Sequence, residues 1–496
     1  MKAHLMFKDE DFDMHQPLPV HEKELMQDLE LDILFETMSR GDDFLVDVSK
    51  RTILSGLRDP ERIRYRQDIL KDCIHNSSAV RDIYNISLES MRNKRKYWLG
   101  IFTRHPGAIL NSAVRMLQMF VELLKKLKSI ADEEADHFES EGFHQFFTMI
   151  KKELDDEYFA AVQRHLMDLK FPHGVLVSAR LGKGNEGGRY ILRKAHTGSS
   201  GRLQRFLAGK PPVFSFYVNP RDESGSRALS DLRDQGINLV ANALAKSADH
   251  INSFFEMLRT ELSFYIGCLN LHDQLLRTGS PVSFPSPSAR QDPRQSFKDL
   301  QDVSLILTTK SRVVGNDVRS SNADLTIITG ANQGGKSTFL RSIGLAQLMM
   351  QSGMFVTAEF FSAPVCNGIF THYKREEDAS MESGKLDEEL KRMSSIVDTL
   401  SPYSMVLFNE SFAATNEREG SEIAKQIVSV LLENHIKVFF VTHLFTFARD
   451  FFEEKPENTM FLRAERQSGG VRTFKMAEGE PLRTSYGRDL YEKIFV

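Results

Sequence analysis

Leu325-Thr326-Ile327-Ile328-Thr329-Gly330-Ala331-Asn332-Gln333-Gly334-Gly335-Lys336-Ser337-Thr338 is the stretch on which the reading of this chain turns. A β-rich run empties into a glycine-rich turn. From Lys336 onward, Phe339, Leu340, Ile343 and Leu345 recur at helical spacing. Strand, glycine turn and helix in that order, with Gly330 set before Gly335-Lys336-Ser337, fit the P-loop pattern. Glycines let backbone N–H groups turn inward around a phosphate, and the helix N-terminus adds partial positive charge. Lys336 reaches the β- and γ-phosphates as a point charge, and the Ser337 hydroxyl can ligate Mg²⁺. The stretch predicts a nucleoside-triphosphate site.

Two later strands belong to the same pattern. Ser404-Met405-Val406-Leu407-Phe408-Asn409-Glu410 is an apolar strand that ends in a polar pair. A buried strand with a carboxylate at its tip is how P-loop ATPases place Mg²⁺ ligands and water-activating groups. Glu410 is the expected catalytic group for the attacking water. Asn409 stands where an aspartate normally helps hold the metal, and its amide offers one neutral oxygen instead of a charge. That difference predicts weaker metal affinity or slower hydrolysis. Val438-Phe439-Phe440-Val441 then ends at Thr442-His443, and a histidine there can hydrogen-bond the γ-phosphate and report its presence. Strands alternating with helices predict an α/β domain with a mainly parallel sheet.

The chain has 496 residues, which suggests about three domains. With 41% apolar and 27% charged residues its composition is that of an ordinary globular protein. Cys73, Cys268 and Cys366 lie far apart with no CxxC pair, so neither a disulfide framework nor a zinc site is indicated. Met1–Glu10 contains no apolar leader-like run, and no later run reads as long and apolar enough to span a membrane. A cytoplasmic setting is expected. A net charge of −4 excludes a uniformly basic nucleic-acid binder and leaves a local basic face open.

Residues 1–20, polar and holding Pro17 and Pro19, predict a flexible arm. Helical spacing follows from Glu22, and Asp59-Pro60 predicts a helix start with a capping carboxylate and a proline at N1. A long helix is expected from about Ala108 to Asp132. Val175–Leu181 and Arg189–Lys194 read as two strands of a hairpin joined by a glycine-rich turn. Arg180, Lys183, Arg189, Arg193 and Lys194 make that hairpin basic. It is either a DNA phosphate contact or a solvated face. Ser226–Thr278 predicts one very long helix, on the order of 70–80 Å. The Ser/Pro-rich stretch Gly279–Ser288 predicts a domain boundary.

Taken together these residues resemble the MutS mismatch-repair family. Gly330-Ala331-Asn332-Gln333-Gly334-Gly335-Lys336-Ser337-Thr338 resembles its Walker A segment, which normally has Pro and Met where Ala331 and Gln333 stand. Asn316-Asp317 resembles the Asn-Asp element beside the adenine. Ser383-Gly384-Lys385-Leu386-Asp387-Glu388 is similar to the signature segment, in which Ser383 would reach the partner subunit's γ-phosphate. Asn409-Glu410-Ser411 with Thr415–Gly420 resembles the Walker B strand and its loop, Thr442-His443 the switch histidine, and Ser485-Tyr486-Gly487 the closing Ser-Tyr-Gly. Leu57-Arg58-Asp59-Pro60 with Ile63, Arg66 and Gln67 resembles the opening of the core, or lever, domain. No counterpart of the family's wedge-bearing mismatch-recognition domain or connector domain precedes Leu57, so a short form is expected.

The resemblance implies a multidomain fold. A flexible arm (1–20) would precede a mostly α-helical core and lever domain (21–285) with a clamp-like β-hairpin insertion near 173–196. A C-terminal α/β P-loop ATPase domain of the ABC type (286–496) would follow. It also implies ATP and Mg²⁺ as ligands, ATP held by Asn316 and residues 330–338, and Mg²⁺ by Ser337 and Asn409. Lys336, Glu410 and His443 would be the catalytic groups. The expected partners are double-stranded DNA, branched or mismatched, and a second copy of the chain, with no membrane. An alternative remains open, a nucleotide-gated protein-interaction ATPase without mismatch recognition. Another ATPase of the ABC superfamily ranks last, because the Leu-Ser-Gly-Gly-Gln signature is absent.

Overall fold

The computed structural model describes residues 1–97, 105–172, 174–194, 214–375, 384–454, 458–466 and 472–482. In chain order the first helices are α1 (Glu22–Asp28), α2 (Leu31–Ser39), α3 (Asp43–Ser55), α4 (Pro60–His75), α5 (Ser77–Tyr97), α6 (Pro106–Glu134), α7 (Glu141–Glu153) and α8 (Asp156–Asp168). The hairpin β1 (Val177–Leu181) and β2 (Gly187–Leu192) and the long helix α9 (Glu223–Thr278) follow. Next come β3 (Ser286–Ser288), β4 (Gln295–Leu300), α10 (Val303–Thr309), β5 (Asn316–Ser321), β6 (Leu325–Thr329) and α11 (Lys336–Gln351). The remainder is β7 (Phe360–Pro364), β8 (Ile369–Tyr373), α12 (Lys385–Val397), β9 (Met405–Asn409), α13 (Glu417–Glu433), β10 (Lys437–Val441), α14 (Phe445–Glu454), β11 (Thr459–Arg466) and β12 (Arg472–Glu478).

The chain divides into two compact units, one of residues 1–3, 81–136 and 145–259 and another of 4–80, 137–144 and 260–496. The first is helical apart from its hairpin. Phe120 of α6 stacks on Phe255 of α9 at 5.8 Å between ring centroids, and Lys94 pairs with Glu256 at 3.0 Å. Val177 of β1 lies so near Gly236 of α9 that a Cβ there would sit 2.7 Å from the valine methyl, so the glycine admits the hairpin. By length and apolarity α6 could cross a bilayer, contrary to the expectation that no run would qualify. Half of its most apolar window is buried, including Leu117, Phe120 and Leu124, as in a core helix.

In the second unit, β12-β11-β6-β10-β9-β8 form a six-stranded sheet. All neighbours run parallel except β12, which lies antiparallel on β11. The period-2 alternation of β9 sorts its side chains. Val406 and Phe408 enter an apolar cluster with Met393 and Ile396 of α12, Ala424 and Val428 of α13 and Phe447 of α14. Leu407 faces α11 on the opposite side, where a Cβ on Gly344 would lie 2.6 Å from its Cδ1. Helices thus cover both faces, which explains why β6, β9 and β10 read as unbroken apolar runs. A second, four-stranded sheet, β3-β7-β4-β5, was not foreseen.

Two boundary expectations need correction. Residues 1–20 are not a free arm. Leu5, Met6 and Phe12 are buried, and the Leu5 and Phe12 N–H groups donate to the buried Glu261 carboxylate at 2.6 and 3.3 Å. Nor does the division fall at 285. The sheet-bearing unit takes in α1–α4 and the last turns of α9, with Leu31, Leu34, Ile63 and Leu70 fully buried. Arg66 of α4 fixes this arrangement. Fully buried, it donates to the carbonyls of Met6 (3.4 Å) and Ser352 (3.1 Å) and lies over the rings of Phe7 and Phe264.

Candidate functional site

The candidate site forms at the carboxyl-terminal ends of the adjacent parallel strands β6, β10 and β9, in the middle of the sheet. Gly330 leaves β6 at φ +113°, and a Cβ there would lie 2.9 Å from the Ala464 nitrogen on β11. Gly335 caps α11 at φ +88°. These two glycines let the turn reverse into the helix, with the Gly334 N–H donating back to the Ala331 carbonyl at 3.2 Å. Gln333 also takes a left-handed conformation (φ +57°), and its side-chain oxygen accepts from Arg472 at 2.7 Å.

Lys336, at the first turn of α11, is buried and donates to the Gly330 and Ala331 carbonyls at 3.0 Å each. Burial lowers its pKa, opposed by the Glu410 charge. A desolvated ammonium held by two neutral carbonyls is poised for an anion. The Ser337 hydroxyl donates to Asn409 Oδ1 at 2.9 Å, so the two expected metal-binding residues are adjacent.

Glu410 follows β9 at φ +56°, and its N–H donates to the Val441 carbonyl of β10 at 2.8 Å. Its Oε1 lies 3.1 Å from Nε2 of His443, which follows β10 by two residues. This hydrogen bond lowers the Glu410 pKa, against a smaller opposing effect of burial. His443 Nε2 is also 3.4 Å from the Lys336 ammonium. An ammonium has only protons to offer and the carboxylate only lone pairs, so the Nε2 proton points to Glu410 and the lysine contact is a near approach of two donors.

Asn332, Gln333, Gly334, Gly335, Lys336, Ser337, Thr338 and Glu410 line a cavity of about 480 Å³. Leu300, Leu305, Val314 and Phe474 also line it, together with the charged Asp302 and Arg312. The volume and the mixture of polar, charged and apolar lining suit a small polar ligand with an anionic group near Lys336. Asn316 lines the same cavity, but its amide is already engaged. It accepts from the Met476 N–H at 2.7 Å and donates to the Phe474 carbonyl at 3.4 Å, so it fastens β12 over the cavity. Phe474, left-handed at φ +60° and about half exposed, is a cavity residue that the sequence reading missed. Nothing local marks it, since β12 reaches the site only by pairing with β11.

The remaining expected residues stand elsewhere. Ser383 and Ser485-Tyr486-Gly487 lie outside the described residues. Lys385 and Asp387 open α12 behind the Gly384 cap, and Asn416 caps α13 by accepting from the Glu419 N–H. Asp59 caps α4 with Pro60 at its first turn, as its sequence predicts. Arg180, Lys183, Arg189, Arg193 and Lys194 are all exposed on the hairpin of the helical unit. Arg193 donates to Ser178 at 2.9 Å and Lys194 lies 3.7 Å from Asp168.

Two family models match this chain, the MutS2 N-terminal domain over residues 58–278 and MutS domain V over 326–495. The chain is similar to MutS protein homolog 4 of Homo sapiens, 31% identical over 28% of this chain and 15% of that protein. It is also similar to the DNA mismatch repair protein MutS of Lactobacillus helveticus, 29% identical over 49% of this chain and 32% of that protein. The corresponding protein of Thermotoga neapolitana is 34% identical over 33% of this chain and 20% of its own length. The chain therefore spans less than a third of the length of these relatives. One model covers the helical half and the other covers the sheet that carries the glycine turn, and with the relatives they identify the chain as belonging to the MutS family.

Proposed function

We propose that this chain is an ATP-dependent DNA-binding protein of the MutS type, which couples ATP binding and hydrolysis in a homodimer to the clamping of DNA in repair or recombination. The observation that carries the reading is one group of side chains at the carboxyl-terminal ends of three adjacent parallel strands. Lys336 lies over the glycine turn, Ser337 is bonded to Asn409, and Glu410 is bonded to His443.

Lys336 exchanges its two carbonyl partners for the β- and γ-phosphates, and the turn amides with the start of α11 supply further donors. Leu305, Val314 and Phe474 receive the base. Ser337 and Asn409 present oxygen donors, which suit a hard cation. Mg²⁺, when bound there, supplies the charge that offsets the phosphate oxygens. Glu410 stays ionised beside His443 and polarises the attacking water, while His443 holds the carboxylate and passes on the presence of the γ-phosphate. Ser383 of a second copy completes the pocket. The exposed arginines and lysines of the hairpin contact DNA phosphates. The substrate is recognised by its shape, as a branched, junction or plain duplex, rather than by a single mispair.

The second reading, a nucleotide-gated protein-interaction ATPase, is favoured by Asn409, whose neutral amide weakens the metal site. Steady-state turnover with Mg²⁺ decides between them, measured without DNA and with matched, mismatched and four-way-junction DNA at one salt. Stimulation by one DNA form supports the first, and indifference to all of them the second. Lys336→Ala loses nucleotide binding. Glu410→Ala keeps binding and loses about 10²–10⁴-fold in turnover, the usual range for a positioned general base. Parent-like turnover of Glu410→Ala would remove Glu410 from the mechanism.

A further inference from the structure

We propose that His372 is a positioning residue for Glu410, bridging α12 to the turn that carries the carboxylate. The proposal rests on the ATPase reading above and extends it to a residue that touches neither nucleotide nor water.

His372 lies on β8, paired in register with Phe408 of β9, and is completely buried between the rings of Phe408 and Phe412. Its Nε2 lies 3.0 Å from the Glu389 carbonyl on α12, and its Nδ1 lies 2.8 Å from the hydroxyl of Ser411, the residue after Glu410. A carbonyl can only accept, so Nε2 carries the proton and Nδ1 is left as an acceptor. Burial keeps the ring neutral, its pKa lowered to about 4. The Ser411 proton is then shared between Nδ1 and the His372 carbonyl, which lies 2.5 Å from the hydroxyl.

Every bond of the imidazole is thereby spent on the Glu410 turn and on α12. The turn needs such support, because Glu410 and Phe412 both stand in left-handed conformations, at φ +56° and +61°, without being glycine. Outside the imidazole, the Glu410 N–H is held by Val441, and the Phe412 N–H faces the buried Glu389 carboxylate. Glu389 therefore meets the turn twice, through its carbonyl by way of His372 and through its side chain at Phe412. A shift of α12 would be felt at Glu410 through this bridge, although no described residue of α12 lines the cavity.

The test compares His372→Ala, His372→Asn and Ser411→Ala. Asn can replace Nδ1 as the acceptor for Ser411, whereas Ser411→Ala removes the bridge and leaves the aromatic packing in place. Three quantities are measured on the full chain: kcat, the Kd of a fluorescent ATP analogue, and peptide-resolved hydrogen exchange across the Glu410–Phe412 turn. Expected for His372→Ala and Ser411→Ala are a kcat at least tenfold down, a Kd within threefold of the parent, and faster exchange confined to that turn. His372→Asn recovers most of kcat. A purely structural role would lower the melting temperature of His372→Ala and leave Ser411→Ala like the parent in both kcat and exchange, which overturns the proposal. If the parent itself shows no turnover, the ATPase reading fails, and exchange in Ser411→Ala still decides whether the bridge holds the Glu410 turn: faster than the parent if it does, unchanged if it does not.

Discussion

Gly330→Ala tests whether the turn geometry is required by packing as well as by ligand binding. Two costs add at this position. The backbone sits at φ +113°, outside the small left-handed region open to L-residues, and such a conformation costs about 1–3 kcal/mol. The new Cβ would lie 2.9 Å from the Ala464 nitrogen and 3.1 Å from the Ala464 Cβ. Those atoms belong to β11, which is bonded to β6 on one side and β12 on the other and cannot yield by rotating a side chain. Forcing an extra methyl group into packed surroundings adds roughly 1–3 kcal/mol. The sum is about 2–6 kcal/mol. With a urea slope near ~3 kcal/mol per molar, the midpoint of the sheet-bearing unit should fall by roughly 1 M. Equilibrium urea unfolding by circular dichroism, with a fluorescent ATP analogue titrated in parallel, reads both effects. Gly188→Ala in the hairpin is the control, since a Cβ there meets nothing within 4 Å. A Gly330→Ala protein with the parent's midpoint and affinity would refute the steric reasoning.

Glu261 gives a pH dependence of a definite sign. Burial raises its pKa to about 7, above the ordinary value of 4.5, so the folded chain holds the proton more tightly than the unfolded one. Stability from this group is full below pH 4.5, falls as pH rises to about 7, and changes little above, by about 3 kcal/mol in all. Urea unfolding at pH 5 and 7.5 should show the fall in the parent and a flatter profile in Glu261→Gln, and equal slopes would refute the assignment. For the hairpin, replacing Arg180, Lys183 and Arg189 together by Ala should weaken binding to every DNA form alike. The salt slope should drop by about 3, near one unit for each phosphate that is no longer neutralised. Unchanged DNA binding would make the hairpin an ordinary solvated face.

What the sequence showed was local, and what it hid was paired at a distance. β6, β9 and β10 are continuous apolar runs because helices cover both faces of their sheet, so each announces itself within five residues. The hairpin and α9 were legible for the same reason, their pattern being complete within one segment. The second sheet is different. β3 and β4 come from the Ser/Pro-rich stretch and its sequel, and β4 pairs with β5 through register shifts, so no strand shows clean alternation. The N-terminal twenty residues read as an arm because their prolines and charges outweigh Leu5, Met6 and Phe12. What fixes them is Glu261, 256 residues away from Leu5. In the candidate site, Lys336, Ser337, Asn409, Glu410 and His443 were each found from the end of a strand or helix. Asn316 was found as well, though its amide holds β12.

Phe474 reaches the cavity only through the pairing of β12 with β11, and His372 acts on a turn in another strand's sequel, so neither is marked locally, and the backbone around the cavity explains something further about the site. Glu410 could have emerged from β9 in an ordinary extended conformation, with its side chain continuing the alternation of the strand. Instead Gln333, Glu410, Phe412 and Phe474, none of them glycine, are left-handed around or beside one cavity. Left-handed residues at helix ends, such as Arg40 and Lys310, terminate helices and follow from capping alone. No such end exists at Glu410. Its turn bends the chain so that the carboxylate meets His443, two residues past the end of the neighbouring strand β10, and the Val441 carbonyl takes its N–H. The conformational cost is carried by the buried parallel sheet, whose rigidity makes the placement of the carboxylate independent of the ligand. On the proposed ATPase reading, a site assembled in this way would have Glu410 in place before the nucleotide arrives, and Lys336, bound to two neutral carbonyls, would be the group that changes partners when it does.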